Sequence, residues 1–402
     1  MDIRPILSSL RKHRIPAFLI VLEITLAFAV MLNAVFLIAQ RVDQMNLPNA
    51  IDERGITVVT TNGVDATDYA GAITRGLTAL RGIPGVTAVT ATNSLPLTHN
   101  AWEGGVAGKA THEHWHNASD YFMTDGGAKA LGLRLLHGRF FTAGEYATAS
   151  IDHSYASTGH VVIITKALAD DLWPGQEAVG KLLYTAGGSY TVVGVVANVL
   201  APSITVNGGA HWYSSVFFPV KPGDAVSYFV LRSKPADRER IKRRAIAVLT
   251  KLEPAAVIKG YTFSWLRHHY FADMASMIWM LALVCVIMLG VTAFGIVGLS
   301  SFWVTQRRAQ IGIRRTLGAR RRDILQYFQT ENFLLVTTGV VCGVVLAYAV
   351  NLFLMSRYEL PRMPLWYLPA GAVVLWVLGQ LAVLGPALRA SHVPPVVATR
   401  GA

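Results

Sequence analysis

The sequence predicts a membrane protein in which four transmembrane α-helices carry a large α+β domain, inserted between the first helix and the second. Three observations lead there. The 402 residues are 52% hydrophobic and only 15% charged, with a positive mean hydropathy, too apolar for an ordinary soluble chain. Four apolar runs are long enough to cross a hydrocarbon core of about 30 Å. Between the first and second of them, residues 41–272 alternate short strand-like and helix-like stretches, which is an α+β pattern.

Residues 1–40 carry the first membrane element. Met1–Arg14 set Arg4, Arg11, Lys12 and Arg14 around Ile3, Ile6, Leu7 and Leu10, the pattern of a short interfacial amphipathic helix. Ala17–Ala39 follows and is read as an uncleaved first span with its N-terminus inside. A signal peptide would have a shorter apolar region, and no small-x-small cleavage site precedes Gln40. Glu23 and Asn33 lie within this span. An ionisable group at such depth is a functional hypothesis; the competing reading is that Glu23 packs, or snorkels to the interface or to Arg14.

In the insertion, strands are expected at Ile56–Thr61, Thr87–Thr90, Val161–Ile164, Tyr190–Val199, Val216–Val220 and Tyr228–Arg232. Helices are expected at Thr67–Arg81, at Lys166–Leu172 (stopped by Trp173-Pro174-Gly175) and at Asp237–Leu252. Asp170-Asp171 reads as an exposed helix face. His268-His269 falls in a juxtamembrane aromatic and basic belt, with a pH switch as the alternative.

The second span is Ala275–Thr305, where Gly290, Gly295 and Gly298 thin one side for close helix contact. The third is Phe333–Met355, with a GxxxG string at Gly339 and Gly343 that serves either packing or flexibility. Ser356–Trp366 is a short outside loop, and Tyr367–Leu388 is the fourth span, with Trp366 and Tyr367 at the interface. Four spans return both termini to the inside.

Between the second and third spans lies Gln306–Asn332, QRRAQIGIRRTLGARRRDILQYFQTEN. It holds Arg307, Arg308, Arg314, Arg315, Arg320, Arg321 and Arg322, which places it on the cytoplasmic side. Ile311, Ile313, Leu317, Ile324, Leu325 and Phe328 recur near helical spacing, and Gly318 stands where a helix stops. Two short amphipathic helices at the membrane surface are expected, offered to a cytoplasmic partner. The competing reading is attraction to anionic lipid, about 1 kcal/mol per basic residue.

The formal net charge of +12 belongs mostly to the membrane flanks: Arg41–Ala272 holds 21 basic and 18 acidic residues, the remainder 15 and 6. This fits orientation and anionic lipid, not a nucleic-acid surface. Cys285 and Cys342 lie in predicted spans, so the insertion has no disulfide framework. No Walker A loop occurs; the nearest string, Gly104–Lys109, lacks the spacing and the following Ser/Thr. No catalytic motif is recognisable. His112, His114 and His116 would share one face if extended and could converge on a transition metal. They fall outside any HExxH spacing and otherwise read as solvated loop histidines.

Ile311-Gly312-Ile313-Arg314-Arg315 followed by Leu317-Gly318-Ala319 resembles the signature of MacB-type permeases, relatives of FtsX and of the lipoprotein-releasing permeases. The insertion resembles their periplasmic core domain at IPGVTAV, at Asp120-Tyr121-Phe122, at His137-Gly138-Arg139-Phe140-Phe141, at Leu172-Trp173-Pro174-Gly175 and at YTVVGVVANV. The tail resembles the family at Pro386, Arg389, Ala390, Pro395, Ala398 and Arg400, so the likeness covers nearly the whole chain. The family pattern has Glu where this chain has Gln310.

The resemblance implies a periplasmic domain of two α/β lobes at 41–272 and an FtsX-like permease domain at 273–402. It implies a non-catalytic subunit that binds no cofactor itself, ATP and Mg being held by a separate ABC ATPase. Arg307, Arg308, Gln310, Ile311, Gly312, Ile313, Arg314, Arg315, Leu317, Gly318, Ala319, Arg322, Asp323 and Ile324 would form the ATPase-coupling surface. Ile311, Ile313, Leu317 and Ile324 would pack into a cleft on the ATPase. Further implied partners are a second permease, identical or paralogous, a periplasmic adaptor, an outer-membrane duct and membrane lipid. The implied function is export of a drug, peptide or other small molecule across the bacterial inner membrane. An FtsX-like regulator of a cell-wall hydrolase and a peptide-sensing resistance permease are the alternatives.

Overall fold

A computed structural model describes residues 14–64, 68–110, 115–151, 156–204, 211–223, 228–358 and 362–392. The N-terminal amphipathic stretch before Arg14 and the tail positions Pro395, Ala398 and Arg400 lie outside them, as do His112 and His114. The chain forms two units: the membrane helices on either side of the insertion, and the insertion itself, Asn46–Asp273.

Helix α1 (Arg14–Met45) extends the first apolar run at both ends. Pro16 is tolerated in its first turn, and Pro48 disfavours helix just beyond its end. In the insertion come β1 (Ile56–Asn62), α2 (Tyr69–Arg81) and β2 (Val86–Thr92). Next are β3 (Glu103–Ala107), β4 (His116–Met123), α3 (Gly127–Leu131), β5 (Leu135–Gly138) and α4 (Ala143–Thr148). They are followed by β6 (Val161–Thr165), α5 (Lys166–Leu172), β7 (Leu182–Thr185), β8 (Gly188–Val196) and β9 (Ser215–Pro219). The domain closes with β10 (Tyr228–Ser233), α6 (Arg238–Leu252), β11 (Val257–Thr262) and α7 (Phe263–Tyr270). Then come α8 (Ala272–Gln306), α9 (Arg308–Thr316), α10 (Arg321–Tyr358) and α11 (Tyr367–Ser391). Four of these helices, α1, α8, α10 and α11, are long and apolar enough to cross a membrane.

The domain has two cores. The strand order β11-β1-β10-β2 is antiparallel throughout, and α2 and α6 bury Ile73, Leu77, Leu80, Ile241, Ala245 and Leu249 against one face of it. Units β1–α2–β2 and β10–α6–β11 make this a split β-α-β lobe. The second lobe is threaded between β2 and β10. There β4, β3, β7, β8, β6 and β9 pair in succession, and β9 pairs back to β4, so the strands form a closed ring. Its core holds Val106, Phe122, Val162, Ile164, Val192 and Phe218 with Leu168 and Trp173 of the α5 region. The ladder between lobes is the single pair Thr92↔Met123. Asn93 reinforces it, its Nδ2 donating to the Asp120 carbonyl (3.0 Å) and its Oδ1 accepting from the Phe122 N–H (2.9 Å).

Each predicted strand and helix of the insertion forms, within a few residues at its ends. Strands β3, β4, β5, β7 and β11 were not predicted. β3 begins Glu-Gly-Gly and β4 begins His-Asn-Ala-Ser, so neither alternates apolar with polar residues.

Candidate functional site

The basic segment after α8 is set by its caps. α9 stops at Gly318, whose φ of 96° is a left-handed conformation that favours glycine. The Ala319 N–H donates back to the Arg314 carbonyl (3.0 Å), closing the helix end. α10 then opens with Asp323 Oδ2 accepting from the Arg320 N–H at 2.9 Å. The expected second surface helix is not separate. No glycine or proline stands between Asp323 and Phe333, so Arg321–Gln329 are the first turns of a 38-residue helix. At about 1.5 Å per residue that helix is roughly 57 Å long, well beyond the apolar thickness it must cross.

Burial sorts the apolar residues of the segment. Ile311 and Ile324 close a cluster with Phe328, with Val304 of α8 and with Ala387 and Ala390 of α11. Ile313 is 51% exposed and Leu317 83%. Ile313 and Leu317 are one turn apart on one face, whereas Ile311 lies about 200° round the helix from Ile313. The expectation that all four residues enter a partner is therefore corrected: Ile311 and Ile324 are used within the chain.

The arginines divide in the same way. Arg307 is buried, and its Nη1 donates to both carboxylate oxygens of Glu331 at 3.1 and 2.9 Å, with its guanidinium 5.4 Å from the Trp303 ring centre. Glu331 is 1% exposed. Arg307 thus ties the end of α8 to α10 and leaves the offered surface. Arg308, Arg320, Arg321 and Arg322 are exposed, with no ion pair among the described residues. Arg314 is exposed and covers the Tyr327 ring at 5.1 Å. Gln310 is exposed, Gly312 buried and Ala319 half-buried, while the Arg315 side chain lies outside the described ones. A cleft of about 30 Å³ between α9 and α10, floored by Ile311 and Ile324, is a joint rather than a ligand pocket.

In the membrane helices, the GxxxG string packs α10 on α1. A Cβ on Gly339 would stand 2.6 Å from Ile24, and one on Gly343 2.8 Å from Phe28. Asn33 Nδ2 donates to the Ala347 carbonyl at 3.2 Å, fastening the same pair of helices. Asn332 Nδ2 does likewise from α10 to Gly379 of α11 at 2.8 Å. On α8, Gly295 gives room to the Glu23 carboxylate, 2.5 Å from where its Cβ would be. A Cβ on Gly290 or Gly298 would meet nothing within 4 Å among the described residues, so these two make no close contact within this chain. Large apolar side chains of α8 are exposed, Phe294 at 79% and Trp279 at 77% among them.

Of the three histidines, His116 heads β4 and is half-buried. Among the described residues no group of His, Cys, Asp or Glu could hold a metal ion. His269 stacks on Trp265 at 4.6 Å. Sequence reasoning missed Glu331 as the partner of Arg307. The signal available was a lone carboxylate beginning an apolar run, which must find a cation.

The FtsX-like permease C-terminal family matches residues 268–395, and the MacB-like periplasmic core domain family matches residues 17–257. The macrolide export ATP-binding/permease protein MacB of Chromobacterium violaceum is 31% identical over 194 residues, 48% of this chain and 30% of that protein. The uncharacterized ABC transporter permease YknZ of Bacillus subtilis is 23% identical over 343 residues, 80% of this chain and 77% of the relative. Among solved structures, the periplasmic region of MacB from Actinobacillus actinomycetemcomitans aligns at 11% identity with a TM-score of 0.38, over 55% of this chain and 94% of that one. The chain spans 30–40% of the length of the first MacB relatives it matches.

Proposed function

The chain belongs to the family of MacB-like, FtsX-like ABC transporter permeases, and on that premise we propose that it couples ATP hydrolysis by a separate ABC ATPase to movement of its periplasmic domain. The observation that carries this reading is the division of α9 into two faces. Its outer face offers Ile313 and Leu317 amid exposed arginines. Its inner face is fixed to α8, α10 and α11 through the Ile311 cluster.

The mechanism follows from those contacts. A partner that takes Leu317 and Ile313 into a groove gains apolar burial, about 1.5–3 kcal/mol per side chain. The arginines add steering and register more than affinity. When the ATPase pair closes around nucleotide, α9 is displaced. Because Arg307 and Glu331 lock the ends of α8 and α10, both spans move with it. α8 follows α7 directly in the chain. Within the domain, Arg267 of α7 pairs with Glu53 at 2.9 Å and donates to the Leu47 carbonyl at 3.1 Å. The first and last segments of the domain therefore receive the displacement together.

In this reading ATP and Mg stay on the ATPase, both termini and α9 are cytoplasmic, and a second permease, identical or paralogous, completes the unit. The work drives export of a drug, peptide or other small molecule with a periplasmic adaptor and outer-membrane duct. Tagged chain purified from gently solubilised membranes should carry an ABC-type ATPase. Leu317→Asp and Gly318→Trp should each lose it at unchanged membrane yield. Retention in both variants overturns the docking role of α9.

A further inference from the structure

The strand ring of the second lobe ends in an open cleft of about 490 Å³, within the range of small-molecule sites. The β7–β8 turn, the start of β3 and the segment before β6 all meet there, so the cleft is the mouth of the ring. Its walls are aromatic. Phe122 and Phe218 stack at 5.0 Å, Tyr190 meets Phe218 edge-on at 5.2 Å, and Trp102 meets Phe122 at 5.8 Å.

One residue departs from this apolar lining. Asp120 sits two places before Phe122 and two after Ala118, so strand alternation puts it on the face that fills the ring. Its carboxylate rests over Gly104, where a Cβ would stand 2.9 Å from Oδ2; the glycine makes the room. Among the described residues that half-buried carboxylate has neither hydrogen bond nor ion pair, so no group of the protein offsets its partial loss of water. Glu103 at the rim adds a second negative charge, and no lysine, arginine or histidine lines the cleft among the described residues. The other titratable group there, Tyr190, has its hydroxyl bonded to the Ser157 carbonyl at 2.9 Å.

We propose that this mouth binds an amphipathic organic cation, an amine or quaternary ammonium on an apolar body, with Asp120 and Glu103 meeting the charge and the aromatic walls the body. An aromatic cage beside a carboxylate suits that chemistry, because ring faces are electronegative and the apolar part of the ligand replaces water. Burial, with the Glu103 charge adding, raises the Asp120 carboxyl to about 7. A bound cation favours its ionised form, so binding strengthens as pH rises through that value.

The test uses the full chain in nanodiscs without any ATPase, so its outcome is independent of the coupling role of α9. Rhodamine 6G, a permanently charged hydrophobic cation, is the probe, and the uncharged dye Nile red in the same lipid is the control, both read by fluorescence anisotropy. Saturable rhodamine binding is expected above that of empty nanodiscs, about tenfold or more weaker in Asp120→Asn and a few-fold weaker in Glu103→Gln. Wild-type affinity should rise between pH 6 and pH 8, and that of Asp120→Asn should stay flat. Equal affinity in wild type and both variants, or a wild-type pH profile matched by Asp120→Asn, overturns the proposal. So does Nile red binding that depends equally on Asp120. Matching gel-filtration profiles establish that the variants are folded.

Discussion

Two carboxylates described above, Glu331 and Asp120, are treated in opposite ways. Glu331, in α10, is met by both bonds from Arg307, whose guanidinium lies against the Trp303 ring. Asp120, in the mouth of the strand ring, has no cation beside it among the described residues. A paired buried charge is a fastening, because removing either partner leaves the other stranded. An unpaired one is a standing cost that a ligand can relieve. The difference assigns Glu331 to architecture and Asp120 to recognition.

The largest expected effect breaks the first half of that comparison. Glu331→Ala or Arg307→Ala should each cost about 3–5 kcal/mol. Removing both charges, as Arg307→Met with Glu331→Leu, should recover much of it. Thermal unfolding of the detergent-purified chain measures this. If the single variants are as stable as wild type, the pair is not a fastening.

The next effect asks whether the apolar cluster beside the pair shares the work. Ile311→Ala should cost about 2–4 kcal/mol, because it opens a cavity among Ile324, Phe328 and Ala387. Ile313→Ala, on the exposed face, should stay within about 0.5 kcal/mol. Equal losses would erase the two faces of α9.

The smallest effect has the opposite sign. With Asp120 raised to about 7 in the folded state against an ordinary value of 3.8, the folded protein binds its proton more tightly than the unfolded chain does. Stability therefore falls as pH rises through that interval and stays low above it. Asp120→Asn should stabilise the chain at pH 8 by about 1 kcal/mol, roughly 2–4 °C in midpoint, and much less at pH 4. A melt in which the variant gains nothing at pH 8 would place Asp120 in ordinary solvation.

Much of this was legible in the sequence, for physical reasons. Apolar runs as long as the membrane is thick have few other uses, so four long apolar helices were readable, although the one carrying the third run begins well ahead of it, at Arg321. Val161–Thr165 announces itself because it is buried on both faces, and Gly188–Val196 because its β-rich burial alternates before ending in a buried run. Gly318 was readable as a helix stop because a left-handed residue is most often glycine. The sorting of Ile311 from Ile313 was not readable, since both suit an amphipathic helix and only contact with α11, tens of residues away, separates them. Asp120 was hidden for a similar reason. A single carboxylate in a strand looks solvated until β9 returns to β4 and closes the ring.

The split β-α-β lobe has a mechanical consequence. β1 begins the lobe and β11 ends it, yet they are neighbours, with Thr57 opposite Thr262 at the end where the chain enters and leaves. A pull that parts two such legs opens a ladder like a zipper, one rung at a time and at low force. Glu53 and Arg267 bridge the legs ahead of the first rung. Tension applied through the flanking segments would meet that clasp before it reached the first rung of the sheet.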